Sequence, residues 1–254
     1  MTALLVADGL SVRYGGVRAL DAVDVEVQSG MLVGLIGPNG AGKTTFIDAV
    51  GGFAASTGSV VLDGQDISSL EPHRRARAGL GRTWQAADLF DDLTVRENLR
   101  VAAGRPSIGA TLRELVRGRE RETDSIDMAL ERLGIDGLAD RRADELTQGQ
   151  RKLVGVARAL AGAPRVLCLD EPAAGLDTQE SADLGRRLRH VLDDRTAVLL
   201  VDHDMGLVLS VCDHVVVLDF GKVIARGTPE EVRRDHAVIQ AYLGRAAGEV
   251  EQAL

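Results

Sequence analysis

A mixed, mainly parallel α/β sheet with flanking helices is the fold this 254-residue sequence predicts. Three observations carry that expectation. Met31–Ile36 is an apolar run entering a glycine-rich loop, and Phe46, Ile47 and Val50 leave the loop at helical spacing. Val166–Leu169 and Ala197–Val201 are short continuous apolar runs, the pattern of parallel strands covered on both faces. Between those two runs, Leu184, Leu188, Val191 and Leu192 mark a crossover helix.

The elements follow in chain order. Residues 4–36 read as β structure, with Val23, Val25 and Val27 alternating with Asp24 and Glu26. After the loop and its helix, Gly51-Gly52 interrupts the helical pattern. Ser59–Leu62 is a further strand, closed by the turn pair Asp63-Gly64. Pro72 suits the first turn of a short helix carrying Arg74, Arg75 and Arg77. From about residue 94 to 163 the chain becomes helical and charged. Ile126, Ala129, Leu130 and Leu133 share one helix face, with Gly134 placed to stop it. The mixed charges of Leu112–Glu122 read as a solvated helix. After Pro164 the α/β pattern returns. Val215–Leu218 and Val223–Ala225 flank Asp219-Phe220-Gly221-Lys222 as a hairpin, in which Asp-Phe-Gly reads as a turn. The expected organisation is a single domain over 1–244, its core formed by about 1–93 and 164–244. An N-terminal antiparallel β subdomain belongs to it, and an α-helical subdomain is inserted over about 94–163. Residues 245–254 are expected to be a flexible tail.

Bulk composition narrows the function. The chain is 45 % hydrophobic and 27 % charged, as soluble globular proteins are. Its net charge of −8 argues against a broad nucleic-acid footprint, and no nucleic-acid partner is expected. Cys168 and Cys212 make no metal-binding spacing and sit in apolar runs, so two reduced, packed thiols are expected. The N-terminus lacks a basic n-region, and no apolar run approaches the roughly 18–20 residues of a membrane span. The expected place is the cytoplasm, peripheral to a membrane only through a partner.

The chemistry begins at Gly37-Pro38-Asn39-Gly40-Ala41-Gly42-Lys43-Thr44-Thr45. A Gly, four residues, then Gly-Lys-Thr, set between a strand and a helix, is a phosphate-binding loop. The glycines let backbone N–H groups close around phosphate oxygens at a helix N-terminus. Lys43 is expected at the β- and γ-phosphates and the Thr44 hydroxyl on Mg²⁺. The apolar strand Val166–Leu169 ends in Asp170-Glu171. Asp170 is expected to hold Mg²⁺, and Glu171 to act as base toward the attacking water. Together these predict a P-loop nucleoside triphosphatase core. Thr147 and Gln150 have capping-box spacing ahead of Leu153, Ala157 and Leu160, which makes Thr147-Gln148-Gly149-Gln150 a helix start suited to phosphate.

With those residues in view, the chain resembles the ATP-binding cassette (ABC) ATPases from about Leu4 to Leu243. Residues 147–150 resemble the signature Leu-Ser-Gly-Gly-Gln, with Thr147 for Ser and Gln148 for the first glycine. Gln85 resembles the Q-loop glutamine that contacts Mg²⁺ and water, Asp177 in Ala174-Gly175-Leu176-Asp177 the D-loop, and His203 the switch histidine that contacts the γ-phosphate. Tyr14 resembles the aromatic that stacks on adenine. The resemblance implies that ATP lies between the phosphate loop of one subunit and residues 147–150 of a second, identical or paralogous. It also implies short helices of a membrane permease in a groove near Gln85 to Leu99. A finer resemblance is to branched-chain amino acid importers. It rests on Glu171–Leu176, Asp202–Met205, Gly227–Val232 and Val238–Gly244. It implies a solute-binding protein as an indirect partner. Lipid or lipopolysaccharide export and urea or amide uptake are the alternatives in transport, and a soluble non-transport ABC protein is the alternative outside it.

Overall fold

Two sheets enclose one helix. The computed structural model describes residues 2–83, 89–103 and 112–242, without the side chains of 112–122. The first sheet is antiparallel, with β1 (Ala3–Tyr14), β2 (Val17–Gln28), β4 (Thr57–Leu62) and β5 (Gln65–Asp66) in the order β2-β1-β4-β5. In β2, Val23, Val25 and Val27 are buried while Asp24 and Glu26 are exposed, as the period-2 alternation requires.

The second sheet has six strands: β3 (Leu32–Ile36), β6 (Leu80–Arg82), β7 (Val166–Asp170), β8 (Ala197–Val201), β9 (His214–Asp219) and β10 (Lys222–Gly227). Their order is β10-β9-β3-β8-β7-β6, parallel except for the edge hairpin β9–β10. The strand β6 is not among the sequence expectations; three residues with a central glycine carry no period.

The continuous apolar runs have a direct cause. Leu32 and Ile36 of β3 face one core, while Val33 and Leu35 face the other. The strands β7 and β8 divide the same way: Leu167, Leu169, Val198 and Leu200 on one side, Val166, Cys168, Leu199 and Val201 on the other. Between the two sheets lies α1 (Lys43–Gly51), whose Phe46, Ile47 and Val50 are buried. It ends at Gly52, which adopts a left-handed φ of 79°.

After α2 (Pro72–Ala78) the chain forms α3 (Val95–Ala103), α4 (Leu112–Leu133) and α5 (Gln148–Leu160). The expected face of α4 is its buried one: Ile126, Ala129, Leu130 and Leu133 are at most 1 % exposed. Gly134 follows at φ 61°. The opposite core is completed by α6 (Thr178–Val191), α7 (Met205–Val211) and α8 (Pro229–Arg234). Leu192 stands just past α6 as its C-cap rather than inside it. Among the described residues no helix is long and apolar enough to cross a membrane.

Candidate nucleotide site

The sheet order assembles the site. Leu35 of β3 and Asp170 of β7 are both in register with Val201 of the intervening β8. The loops leaving the carboxyl ends of these three strands therefore open on one edge, where parallel sheets bind ligands. They carry Gly37–Thr45, Glu171 and Asp202-His203.

Within the phosphate loop, Gly42 caps α1 at φ 107°, and a Cβ there would stand 2.8 Å from the Ala19 carbonyl oxygen. Gly40, at φ 77°, has nothing within 4 Å of that position and faces open space. Lys43 is buried and its Nζ donates to the carbonyls of Gly37 at 2.7 Å and Pro38 at 3.2 Å. The ammonium thus sits inside the loop. Asn39, Gly40, Lys43, Thr44, Thr45 and Glu171 line one open pocket together with the start of β2. Ala41 and Pro38 are buried beneath it, joined by an N–H to carbonyl bond of 3.0 Å. Tyr14 ends β1 opposite Val17, is 54 % exposed, and so projects from the hairpin that borders this pocket.

Glu171 follows β7 in the left-handed region, φ 47°, where a non-glycine residue is strained and the strain is tied down by its N–H donating to Val201 at 2.7 Å. His203 Nδ1 lies 3.7 Å from Glu171 and 3.6 Å from Asp202. Asp202 is fully buried. It accepts from the N–H groups of Ala173 and Asp204, joining the loop after β7 to the loop after β8. Burial pushes its carboxyl above the ordinary carboxylate range. Sequence reasoning gave Asp202 no role; the only signal was an acid at the end of an apolar strand.

Asp170 is 3 % exposed and pairs with Arg82 through Oδ2 at 3.3 Å. Burial raises its pKa, and the Arg82 charge opposes that rise. Its Oδ1 is buried without a hydrogen-bond partner. An orphaned carboxylate oxygen is a ligand of the kind a hard divalent cation takes; Asp170 lines a pocket with Arg82 and Thr83, while the exposed Thr44 lines the phosphate-loop pocket. Gln85 lies outside the described residues.

Thr147–Gln150 stand elsewhere and are not among the residues lining this pocket. They open α5 with the expected capping box: Thr147 Oγ1 accepts from the Gln150 N–H at 3.3 Å, and Gln150 Oε1 accepts from the Thr147 N–H at 3.0 Å. Asp177 is the N-cap of α6, accepting from the N–H groups of Gln179 and Glu180 at 2.8 Å each. The two helix starts touch. A Cβ on Gly175 would be 2.5 Å from Gln148 Nε2.

Fold and site define a phosphate-loop ATPase of α/β architecture. The sequence matches the ABC transporter family over residues 20–174 and the C-terminal segment of branched-chain amino acid ATP-binding cassette transporters over residues 222–248. The chain belongs to the ABC transporter ATPase family. It is 40 % identical to the high-affinity branched-chain amino acid transport ATP-binding protein BraF of Pseudomonas aeruginosa, over 96 % of this chain and 98 % of that one. It is 38 % identical to the lipopolysaccharide export system ATP-binding protein LptB of Escherichia coli, over 95 % and 98 %. The crystal structure of MJ1267, an ATP-binding cassette of an ABC transporter in its ADP conformation, superposes with a TM-score of 0.82. It is 32 % identical, over 96 % of this chain and all of that one.

Proposed function

We propose that this ATPase is the motor subunit of an importer for branched-chain or related amino acids. The supporting observation is the similarity to BraF over nearly both full lengths, reinforced by the separate match at residues 222–248. In this reading the chain sits at the inner face of the cell membrane on a separate permease, which a solute-binding protein supplies.

The same reading gives each residue a task. Gly37–Thr45 wrap the phosphates, and the buried Lys43 ammonium neutralises them. Tyr14 stacks on the adenine. Glu171 accepts the proton of the attacking water, and the bond from its N–H to Val201 supports this role by fixing the backbone that carries it. His203, drawn toward Glu171 and Asp202, donates to the γ-phosphate. Thr44, Gln85 and Asp170 would hold Mg²⁺, which supplies positive charge to the phosphate oxygens. Thr147–Gln150 and Asp177 act on the ATP of a second subunit, identical or paralogous. Nucleotide is then part of the interface, and binding and dimerisation support each other by linkage.

The similarity to LptB favours lipopolysaccharide export as the second reading. Purification of the tagged chain from membranes with its permease, followed by reconstitution into proteoliposomes, separates the two. ATP-dependent uptake of leucine, isoleucine or valine is expected. A complex that moves no amino acid but extracts lipopolysaccharide would replace import by export.

A further inference from the structure

The β9–β10 turn sets an aromatic ring at the mouth of the phosphate-loop pocket. Phe220 lines that pocket beside Val17, Arg18 and Asn39, and it is 75 % exposed. Its φ is 44°, a region that bulky residues rarely adopt and that Asn or Gly tolerate far better. Gly221 follows at φ 76°. A two-residue hairpin turn with both central residues left-handed favours Asn-Gly, so phenylalanine works against its own turn. A ring three-quarters exposed on a backbone that disfavours it is not a core residue. Strain of this kind points to a task at a ligand.

The turn is also held in place relative to the loop. The Gly221 N–H donates to the Ala41 carbonyl at 2.9 Å, and the Asp21 N–H donates to the Gly221 carbonyl at 2.9 Å. A Cβ on Gly221 would stand 2.5 Å from the Ala19 carbonyl oxygen, so the turn lies directly against β2. Apart from the phosphate loop and Glu171, the walls of this pocket are Val17 to Ala19 and this turn, so they are the surface left for a nucleoside whose phosphates the loop holds. Tyr14, at the tip of the β1–β2 hairpin, is paired with Val17 of the pocket wall without itself lining the pocket.

We infer that Phe220 is a specificity-determining contact of the nucleoside end of bound ATP, its ring packing on the base or ribose as a second aromatic wall. This rests on the pocket's assignment to the nucleotide. Stacking on a ring tolerates any base, so the contact favours nucleosides over free polyphosphate rather than one base over another.

The test is equilibrium binding of ATP and of inorganic tripolyphosphate to the full chain and to Phe220→Asn. Asparagine suits the left-handed turn, so the variant is expected to melt no lower than the parent. ATP binding should weaken by about five- to tenfold, with tripolyphosphate binding unchanged. Phe220→Trp should restore ATP affinity. Unchanged ATP affinity in Phe220→Asn, with both ligands lost in Lys43→Ala, overturns the role of Phe220 and leaves the pocket assignment standing. Equal weakening of both ligands shows that the turn acts through Ala41 and not on the nucleoside, which also overturns it. ATP binding that survives Lys43→Ala removes the pocket assignment and this inference with it.

Discussion

Gly149, the second residue of α5, faces Glu180 of α6 so closely that a Cβ on it would stand 3.0 Å from the carboxylate Oε1. Glu180 is held there by its place in the α6 capping box, where Oε2 accepts from the Asp177 N–H at 3.2 Å. The proposed contact with a second subunit's ATP is therefore backed, within its own chain, by the helix start that carries Asp177.

That relationship changes how Gly149 must be tested. Gly149→Asp puts a carboxylate at a helix start proposed to meet phosphate, and also beside Glu180. In a Glu171→Gln background at saturating Mg-ATP, sedimentation velocity should show a dimer with Gly149 and a monomer with Gly149→Asp. Adding Glu180→Ala removes the neighbour inside the chain at a stability cost of about 1 kcal/mol for the weakened cap. The triple variant should remain monomeric. Recovery of the dimer would make the defect a clash within one subunit.

Glu171 and Lys43 separate chemistry from binding. Glu171→Gln keeps the size of the side chain and loses the base, so ATP should bind as before while turnover falls by about 10²–10⁴-fold. Lys43→Ala removes the ammonium held inside the loop and should weaken ATP binding itself. Calorimetric titration beside a phosphate-release assay reads both. Turnover near the parent rate in Glu171→Gln would take the base role from that residue.

The two thiols give a test of packing. Cys168 of β7 is 1 % exposed and Cys212, which caps α7, is 7 % exposed. Burial pushes both thiols up, Cys168 to about 12. The folded chain therefore keeps the Cys168 proton between an unfolded value near 9.0 and about 12, and the stability it supplies is lost as pH rises through that window. At pH 8 a chromogenic disulfide reagent should label almost no thiol in the native chain and two per chain in denaturant. Rapid native labelling of either one would contradict the packing described.

What the sequence shows is local, and what it hides is distant. The phosphate loop, the valine alternation of β2 and the Thr147–Gln150 box each lie within a dozen residues, where period and capping chemistry are readable. The contacts that organise the site join residues far apart: Arg82 to Asp170 across 88 positions, Ala173 to Asp202 across 29. No spacing rule announces such pairs. Phe220 illustrates a second limit. Asp-Phe-Gly is a turn, as its composition indicates, but the ring faces the pocket because Gly221 is bonded to Ala41, 180 residues earlier in the chain.

Arg82 ties two acids and an aromatic ring together at the edge of the parallel sheet. Its guanidinium donates to Asp48 at 2.7 Å and to Asp170 at 3.3 Å, and lies 5.4 Å from the centre of the Phe53 ring. Asp48 is partly hydrated, but Asp170 is 3 % exposed and Arg82 only 10 %. Removing the cation leaves a carboxylate buried without its partner, and breaking a buried pair from one side costs about 3 kcal/mol. Arg82→Met keeps much of the packing on Phe53 while deleting the charge. It should lower stability by about that amount in urea denaturation. In Asp170→Asn the same substitution should cost at least about 1 kcal/mol less, because the charge that needed Arg82 is gone. The cycle is read on stability without nucleotide, so it is independent of any part Asp170 plays with Mg²⁺. Equal costs in the two backgrounds would mean that Arg82 serves Asp48 and Phe53 alone, and that Asp170 is held by its strand and not by the pair.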